Sequence, residues 1–466
     1  MLGKGPSYLL SDVLHLPEPS ARFLLALYGA YLFSFIYRYY VSRHGAAVQN
    51  LYWTMSGVLM VVYIYGWGVW HMLLDTVAVY CTLRLIGGTL LSVVITWLIT
   101  MGHLVGGYLH IMYSNEIHPI AWTIPHCVMV LKMIGLAYSL YDGRKKQETL
   151  VSEDIRKNAV HSVPSFLEVM GFSFFPGSVL AGPQMWFVRY RDFVEGRLFD
   201  YQKTPSSTFA GVKRLLLGTT LSVLYASLNN YYPIEFLATK GFADEMYIRK
   251  LWLVFISGKV VLWRYIAVWL IAEGSCIVTG ISYNGETKEG EADWSGLTNI
   301  KLFDFETCIT LQGVVDSFNI NTNSWMALYV YKRLKWLGSK ELSLALTLVF
   351  ISLWHGIWPG YYFNFSLEFI DLTAERTFHH RAKKLLGGEL SDTPAVVRVP
   401  LSLIAYCLKN LILMYPTTLF MLLSWTQCYA FMKAVYFYGH IVPLAWIALH
   451  QLLSWLERRR KRQKLE

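Results

Sequence analysis

The strongest constraint on this chain is that apolar stretches of roughly bilayer-crossing length recur along nearly all of it. A helical span takes about 20 mostly apolar residues, and backbone polar groups without water to bond must pair within their own segment, which a helix allows. Candidate spans cover residues 21–41, 51–70, 69–83, 85–108, 120–141, 166–187, 215–232, 251–281, 342–358, 363–372, 396–423 and 435–455. Not all of these read as simple crossings, so the expectation is an all-α fold: a polytopic membrane helical bundle of about 11 transmembrane helices with re-entrant and short helices added. The stretch 166–187 is broken by Gly171, Pro176, Gly177, Gly182 and Pro183, and irregular backbone at membrane depth has to be buried in protein or line a cavity. The stretch 251–281 is too long for one upright span and is expected to tilt, kink near Gly258 or divide.

Composition agrees. Hydrophobic residues make up 55% of the 466 and charged residues only 15%, against about 25% charged in soluble domains. The net charge of +10 sits in short basic clusters between apolar stretches, which fits positive-inside topology and anionic head groups and argues against a nucleic-acid partner. Six cysteines, at 81, 127, 276, 308, 407 and 428, show no CxxC pair and no zinc spacing, so no disulfide and no metal ligand is expected from them. The first 20 residues lack a signal-peptide pattern, and the first apolar helix is expected to be retained. Residues 457–466 form a basic tail expected in the cytosol, where Arg462 and Lys464 have the spacing of a dibasic retrieval signal. The polar connections 142–162, 189–205, 284–306 and 375–394 are too short to be domains, so 1–466 reads as a single membrane domain.

His355 stands out. It follows about 20 Å of apolar helix beyond Lys340 and Glu341, and an ionisable group at that depth is a functional-site candidate by default. The plain alternative is a histidine that bonds a neighbouring helix. Upstream, Asn319, Asn321 and Asn323 alternate within Ser317-Phe-Asn-Ile-Asn-Thr-Asn-Ser-Trp325. In extended chain they would face one way; in a turn they would cap a helix over 325–336.

Taken together, Phe318-Asn-Ile-Asn-Thr-Asn-Ser-Trp325, Tyr331-Lys-Arg-Leu-Lys335 and Leu353-Trp-His-Gly356 resemble the membrane-bound O-acyltransferase family, closest to its lysophospholipid, in particular lysophosphatidylcholine, acyltransferase branch. The likeness extends upstream through Thr123-Ile-Pro-His126, Pro164-Ser-Phe-Leu-Glu-Val-Met-Gly-Phe172, Leu180-Ala-Gly-Pro-Gln184 and Trp269-Leu-Ile-Ala-Glu-Gly274. It covers nearly the whole chain, and the order and spacing of the motifs give it more weight than any one of them.

The resemblance implies an endoplasmic-reticulum enzyme whose helices surround an internal reaction chamber. There an acyl group, polyunsaturated in this branch, passes from acyl-CoA to the free hydroxyl of a lysophospholipid, with acyl-CoA as co-substrate and no bound cofactor or metal. His355 matches the family's catalytic histidine and Asn319 its asparagine. The chemistry suits them: a thioester is already activated, so transfer needs a base for the hydroxyl proton and a group that orients the base or polarises the carbonyl. A covalent route has little support, since no Gly-x-Ser-x-Gly elbow is present and Cys127 beside His126 points to another side of its helix. Candidate substrate-binding residues are Asn321, Asn323, Trp325, Gln184 and Glu273, together with Lys332, Arg333 and Lys335 for the phosphates of CoA. Four of these have ready alternatives: the three cations also fit positive-inside topology, and Glu273 also fits a pair with a cation such as Arg264. His103, His110, His126 and His440 read as interfacial or core histidines, and His379 and His380 as part of a solvated loop. Another acceptor within the family, such as lysophosphatidylserine, lysophosphatidylethanolamine, a sterol or diacylglycerol, is the nearest competing reading. A transporter would also explain deep polar residues.

Overall fold

The computed structural model describes residues 5–14, 17–114, 121–146, 148, 150, 152–198 and 205–463. Lys464 of the dibasic pattern lies outside the described residues. Among those described the chain is helical without strands, apart from one isolated bridge between Glu286 and Ala292. By length and composition six helical segments qualify as membrane spans, or seven if the bent pair Trp425–Ala434 and Tyr438–Gln463 counts as one. The expected number of about 11 is therefore not reached by that criterion, mainly because several helices inside the bundle are short or polar at one end.

Two compact units are present, 1–226 with 263–300 and 319–336, and 227–262 with 301–318 and 337–466. In the first, the helices Glu18–Ile36, Ala46–Tyr65, Val69–Ile86, Leu90–Ser114 and Thr123–Gly143 follow one another along the chain. Their buried faces meet in one apolar core around Trp53, Met133, Phe172 and Phe175. The Pro- and Gly-broken stretch folds as the short helices Phe166–Ser173 and Pro176–Val179, and residues 169–180 are all buried, as irregular backbone at that depth requires. Ser165 and Glu168 cap its start reciprocally. At its break the otherwise unpaired carbonyls of Phe172 and Ser173 accept from the buried Lys132 ammonium, at 2.9 and 3.3 Å, which supplies the donors a helix end lacks. Gly57 is needed here, because a Cβ on it would lie 1.5 Å from the Phe174 carbonyl oxygen.

The stretch beginning at 251 forms one unbroken helix, Tyr247–Thr279, of 33 residues. It does not divide at Gly258, which instead lets Met414 approach, at 2.5 Å from where a Cβ would sit. In the second unit the helices Lys340–His355, Pro359–Leu386, Ala395–Leu422 and Tyr438–Gln463 carry most of the structure. The expected span 363–372 and much of the expected loop 375–394 are in fact a single helix, Pro359–Leu386. His379 and His380 are therefore exposed helical residues rather than loop residues. Helix pairing carries the helix on past its apolar part: Arg381 donates to His450, Ser454 and Glu457 of the last helix, and Trp446 donates to Thr377 at 3.0 Å.

Candidate active site

His355 is the last residue of the Lys340–His355 helix, whose start is capped by Ser339 accepting from the Leu342 amide. Gly356 ends the helix there with φ 147°, in a region that excludes side chains, and a Cβ on it would lie 2.8 Å from the Tyr361 ring. The Trp-His-Gly sequence therefore places the imidazole at a helix end rather than on a helix flank. Four aromatic rings wall it: Trp354, Phe420, Phe365 and Tyr361, with centroids 4.6, 5.0, 5.4 and 5.6 Å away. No described residue hydrogen-bonds its ring nitrogens. A histidine held by a neighbouring helix would have such a bond, so the plain alternative loses its main support. A neutral imidazole in an apolar cage keeps a lone pair available for a proton.

Asn319 belongs to the first unit. It precedes the helix Ile320–Tyr329 in the left-handed conformation, φ 52° and ψ 40°, where asparagine is among the few tolerated non-glycine residues. Neither of the two sequence expectations holds for this stretch. The helix begins at Ile320, so Asn321 and Asn323 are helical, and it ends at Tyr329 before a 3₁₀ turn over Tyr331–Leu337. Asn319 stands at the N-cap position of this helix, but its side chain makes no capping bond.

What holds Asn319 is Asn299, a buried residue that sequence reasoning did not single out. The Asn321 backbone N–H donates to Asn299 Oδ1 at 3.1 Å, which fixes the Asn299 carboxamide oxygen because a backbone amide can only donate. The other end, Asn299 Nδ2, then donates to Asn319 Oδ1 at 3.3 Å. Asn319 Oδ1 thereby accepts one bond, and Nδ2, the carboxamide's only donor, meets no described residue. Asn321 completes the clamp by donating Nδ2 to the carbonyls of Thr298 and Leu297 at 3.1 and 3.2 Å. Its role is thus to lock the 297–299 segment. Glu273, 1% exposed, accepts from the amides of Asn299 and Ile300 at 2.7 and 3.0 Å. Its cationic neighbour is Arg214 at 3.7 Å. The expected pairing with Arg264 does not form; that guanidinium meets Tyr225 and Tyr265.

The remaining candidates separate. Gln184 is 6% exposed and neither end of its carboxamide has a partner among the described residues, an arrangement costly enough to point to a ligand or water. Trp325 is fully buried, with its ring against Tyr329 and Gly135. Asn323 is half-buried on the first turn of its helix. Lys332 pairs with Asp154 at 2.8 Å, and Arg333 holds Asp142 through two bonds at 2.8 and 2.5 Å. Burial works against the Arg333 charge, but the Asp142 carboxylate outweighs it and holds the guanidinium above its ordinary range. Lys332 and Arg333 therefore already have carboxylate partners. Lys335 is exposed.

The described residues form a multi-span helical protein with an imidazole walled by aromatic rings at the end of one helix. Sequence comparison defines it further: residues 108–418 match the MBOAT, membrane-bound O-acyltransferase, family. The chain belongs to that family and is an acyltransferase. It is 36% identical to human Lysophospholipid acyltransferase 5 over 98% of this chain and 94% of the human one. To the Drosophila melanogaster protein of that name it is 31% identical, over 94% of this chain and 88% of the other. Mouse Membrane-bound glycerophospholipid O-acyltransferase 1 is more distant, 23% identical over 93% of this chain and 90% of the mouse protein.

Proposed function

We propose that this enzyme transfers a fatty acyl group from acyl-CoA to the free sn-2 hydroxyl of a lysophospholipid, lysophosphatidylcholine first, in phospholipid remodelling at the endoplasmic-reticulum membrane. The observation that carries the acceptor class is the near end-to-end match to proteins named lysophospholipid acyltransferases. In this reading the His355 imidazole takes the hydroxyl proton as the lipid oxygen attacks the thioester carbonyl. Asn319 Nδ2 donates to the oxygen that becomes negative, and CoA leaves as the thiol once reprotonated. Of the two roles open to the carboxamide, orienting the base or polarising the carbonyl, the second is favoured because Asn299 already holds Oδ1. No acyl-enzyme is formed. Gln184, with both ends of its carboxamide unpaired among the described residues, is the side chain best suited to bind a polar part of a substrate.

The test is the purified protein in nanodiscs with acyl-CoA and a panel of lysolipids, followed by free thiol. Thiol release should depend on the lysolipid, be fastest with lysophosphatidylcholine, be lost in His355→Ala and fall about 10²–10³-fold in Asn319→Ala. Release at the wild-type rate in both variants refutes the catalytic assignment. A flat panel refutes the acceptor assignment alone.

A further inference from the structure

A second polar cluster lies in the first unit, in residues that acyl transfer as proposed above does not use. Asp75, on the helix Val69–Ile86, is 2% exposed, and its two carboxylate oxygens are taken by different histidines. Oδ1 is 2.7 Å from His103 Nδ1, and Oδ2 is 2.9 Å from His126 Nε2. The three residues come from three consecutive helices. A fourth, His71, lies one turn before Asp75 on the same helix face, with Nδ1 2.9 Å from His103 Nε2. It is held there by stacking on Trp122 at 3.7 Å.

The cluster is unusual in its charge. A carboxylate this deeply buried is costly unless a positive charge compensates it, and no lysine or arginine among the described residues pairs with Asp75. In addition His126, fully buried, leaves Nδ1 without a partner among the described residues. Two imidazoles and a carboxylate, with one ligand atom from each inside a 4.8 Å span, are the donor set that first-row divalent ions take.

We propose that Asp75, His103 and His126 form a binding site for a divalent transition-metal ion, zinc foremost, separate from the acyl-transfer residues. Ligand atoms around a tetrahedral zinc lie about 3.3 Å apart, from metal–ligand lengths of about 2.0–2.1 Å, so the pairs now at 2.7 and 2.9 Å open by about half an ångström. The protons can be accommodated without a change of net protonation. When His103 coordinates through Nδ1 its proton sits on Nε2, where His71 Nδ1 accepts it. That bond to a second histidine is the outer-shell contact that ligating histidines ordinarily have. The ion supplies the positive charge the buried carboxylate lacks. It has a way in: the His103 side chain is 23% exposed, and the paired rings Trp67 and Trp70, 81% and 57% exposed beside His71, mark the level of the membrane interface. Its effect would be to cross-link three helices at one end of the unit.

The test uses the full chain in detergent. Metal is stripped, the protein is titrated with Zn²⁺ and separately with Co²⁺, and bound metal is measured by elemental analysis and by the visible d–d absorption of cobalt. The wild type should bind one equivalent, with cobalt bands of tetrahedral or five-coordinate type and a higher melting temperature in zinc. His126→Gln and His103→Gln should lose binding, and His71→Gln should retain it about 10- to 100-fold weaker. The cobalt spectrum of the wild type needs no variant to fold. The proposal is overturned by a wild type that binds no stoichiometric metal in the micromolar range. It is equally overturned if the double variant His103→Gln/His126→Gln, monodisperse by gel filtration, binds as the wild type does.

Discussion

Asn299 gives the sharpest test of the asparagine clamp, because it is expected to act on the reaction only through Asn319. Replacing it with leucine keeps the branched shape and removes all three of its side-chain hydrogen bonds, to Asn319 Oδ1 and from the Asn321 N–H and Nδ2. The bond to Asn319 is a neutral amide pair at 3.3 Å, of a kind that contributes about 0.5–1.5 kcal/mol net. If all of it serves to keep Asn319 Nδ2 aimed at the forming oxyanion, losing it slows the chemical step about two- to twelvefold, at 1.36 kcal/mol per factor of ten. Asn319→Ala removes the donor itself and should cost about 10²–10³ in kcat. Folding should suffer separately, since the Asn321 N–H loses its acceptor in a buried place, a loss of about 1–3 kcal/mol. The assay is thiol release under saturating substrates, with melting temperature measured alongside, for Asn299→Leu, Asn319→Ala and the double variant. In the Asn319→Ala background Asn299→Leu should cost nothing further in kcat, because there is no donor left to aim. A double variant slowed by the product of the two single factors refutes the clamp as the route by which Asn299 acts.

Three further outcomes follow from contacts already described. Arg333→Ala should destabilise the protein strongly, by about 3–5 kcal/mol, since it leaves the 2%-exposed Asp142 carboxylate unpaired. A raised KM for acyl-CoA with unchanged thermal stability would instead restore Arg333 as a phosphate ligand. Lys332→Ala should shift stability by less than about 1 kcal/mol, its pair with Asp154 being largely solvent-exposed on the acid's side; a melting temperature lowered as far as in Arg333→Ala would contradict this. Gln184→Leu should leave the melting temperature unchanged or raise it, because neither end of that carboxamide has a partner among the described residues to lose, while kcat/KM falls. A fall in melting temperature with full activity would show that the glutamine is structural.

What the sequence revealed and what it concealed divide along one physical line. Helix length is a one-dimensional property, so the five helices between 18 and 143 and the buried break at 166–187 were legible from apolar runs and from Pro and Gly alone. Where a helix ends was less legible when tertiary pairing rather than composition sets it: Pro359–Leu386 runs through Arg376, Arg381 and Lys383 because the last helix supplies Arg381 with acceptors. The site behaves the same way. His355 was visible because a lone imidazole in apolar sequence is conspicuous, and Gly356 next to it predicted nothing beyond a turn, though it is what sets the ring at a helix end. Asn299 was invisible, as a polar residue in a polar loop gives no sign that its carboxamide is buried and bonded at both ends. The same holds for Asp75, His103 and His126, 28 and 23 positions apart in sequence and matching no ligand motif, yet meeting because three consecutive helices pack side by side. A polar residue's partner is a three-dimensional fact. For that reason the paired residues Lys332, Arg333 and Asn321 looked from sequence like substrate ligands, while Gln184, whose lack of partners among the described residues makes it the stronger candidate, looked no different from them.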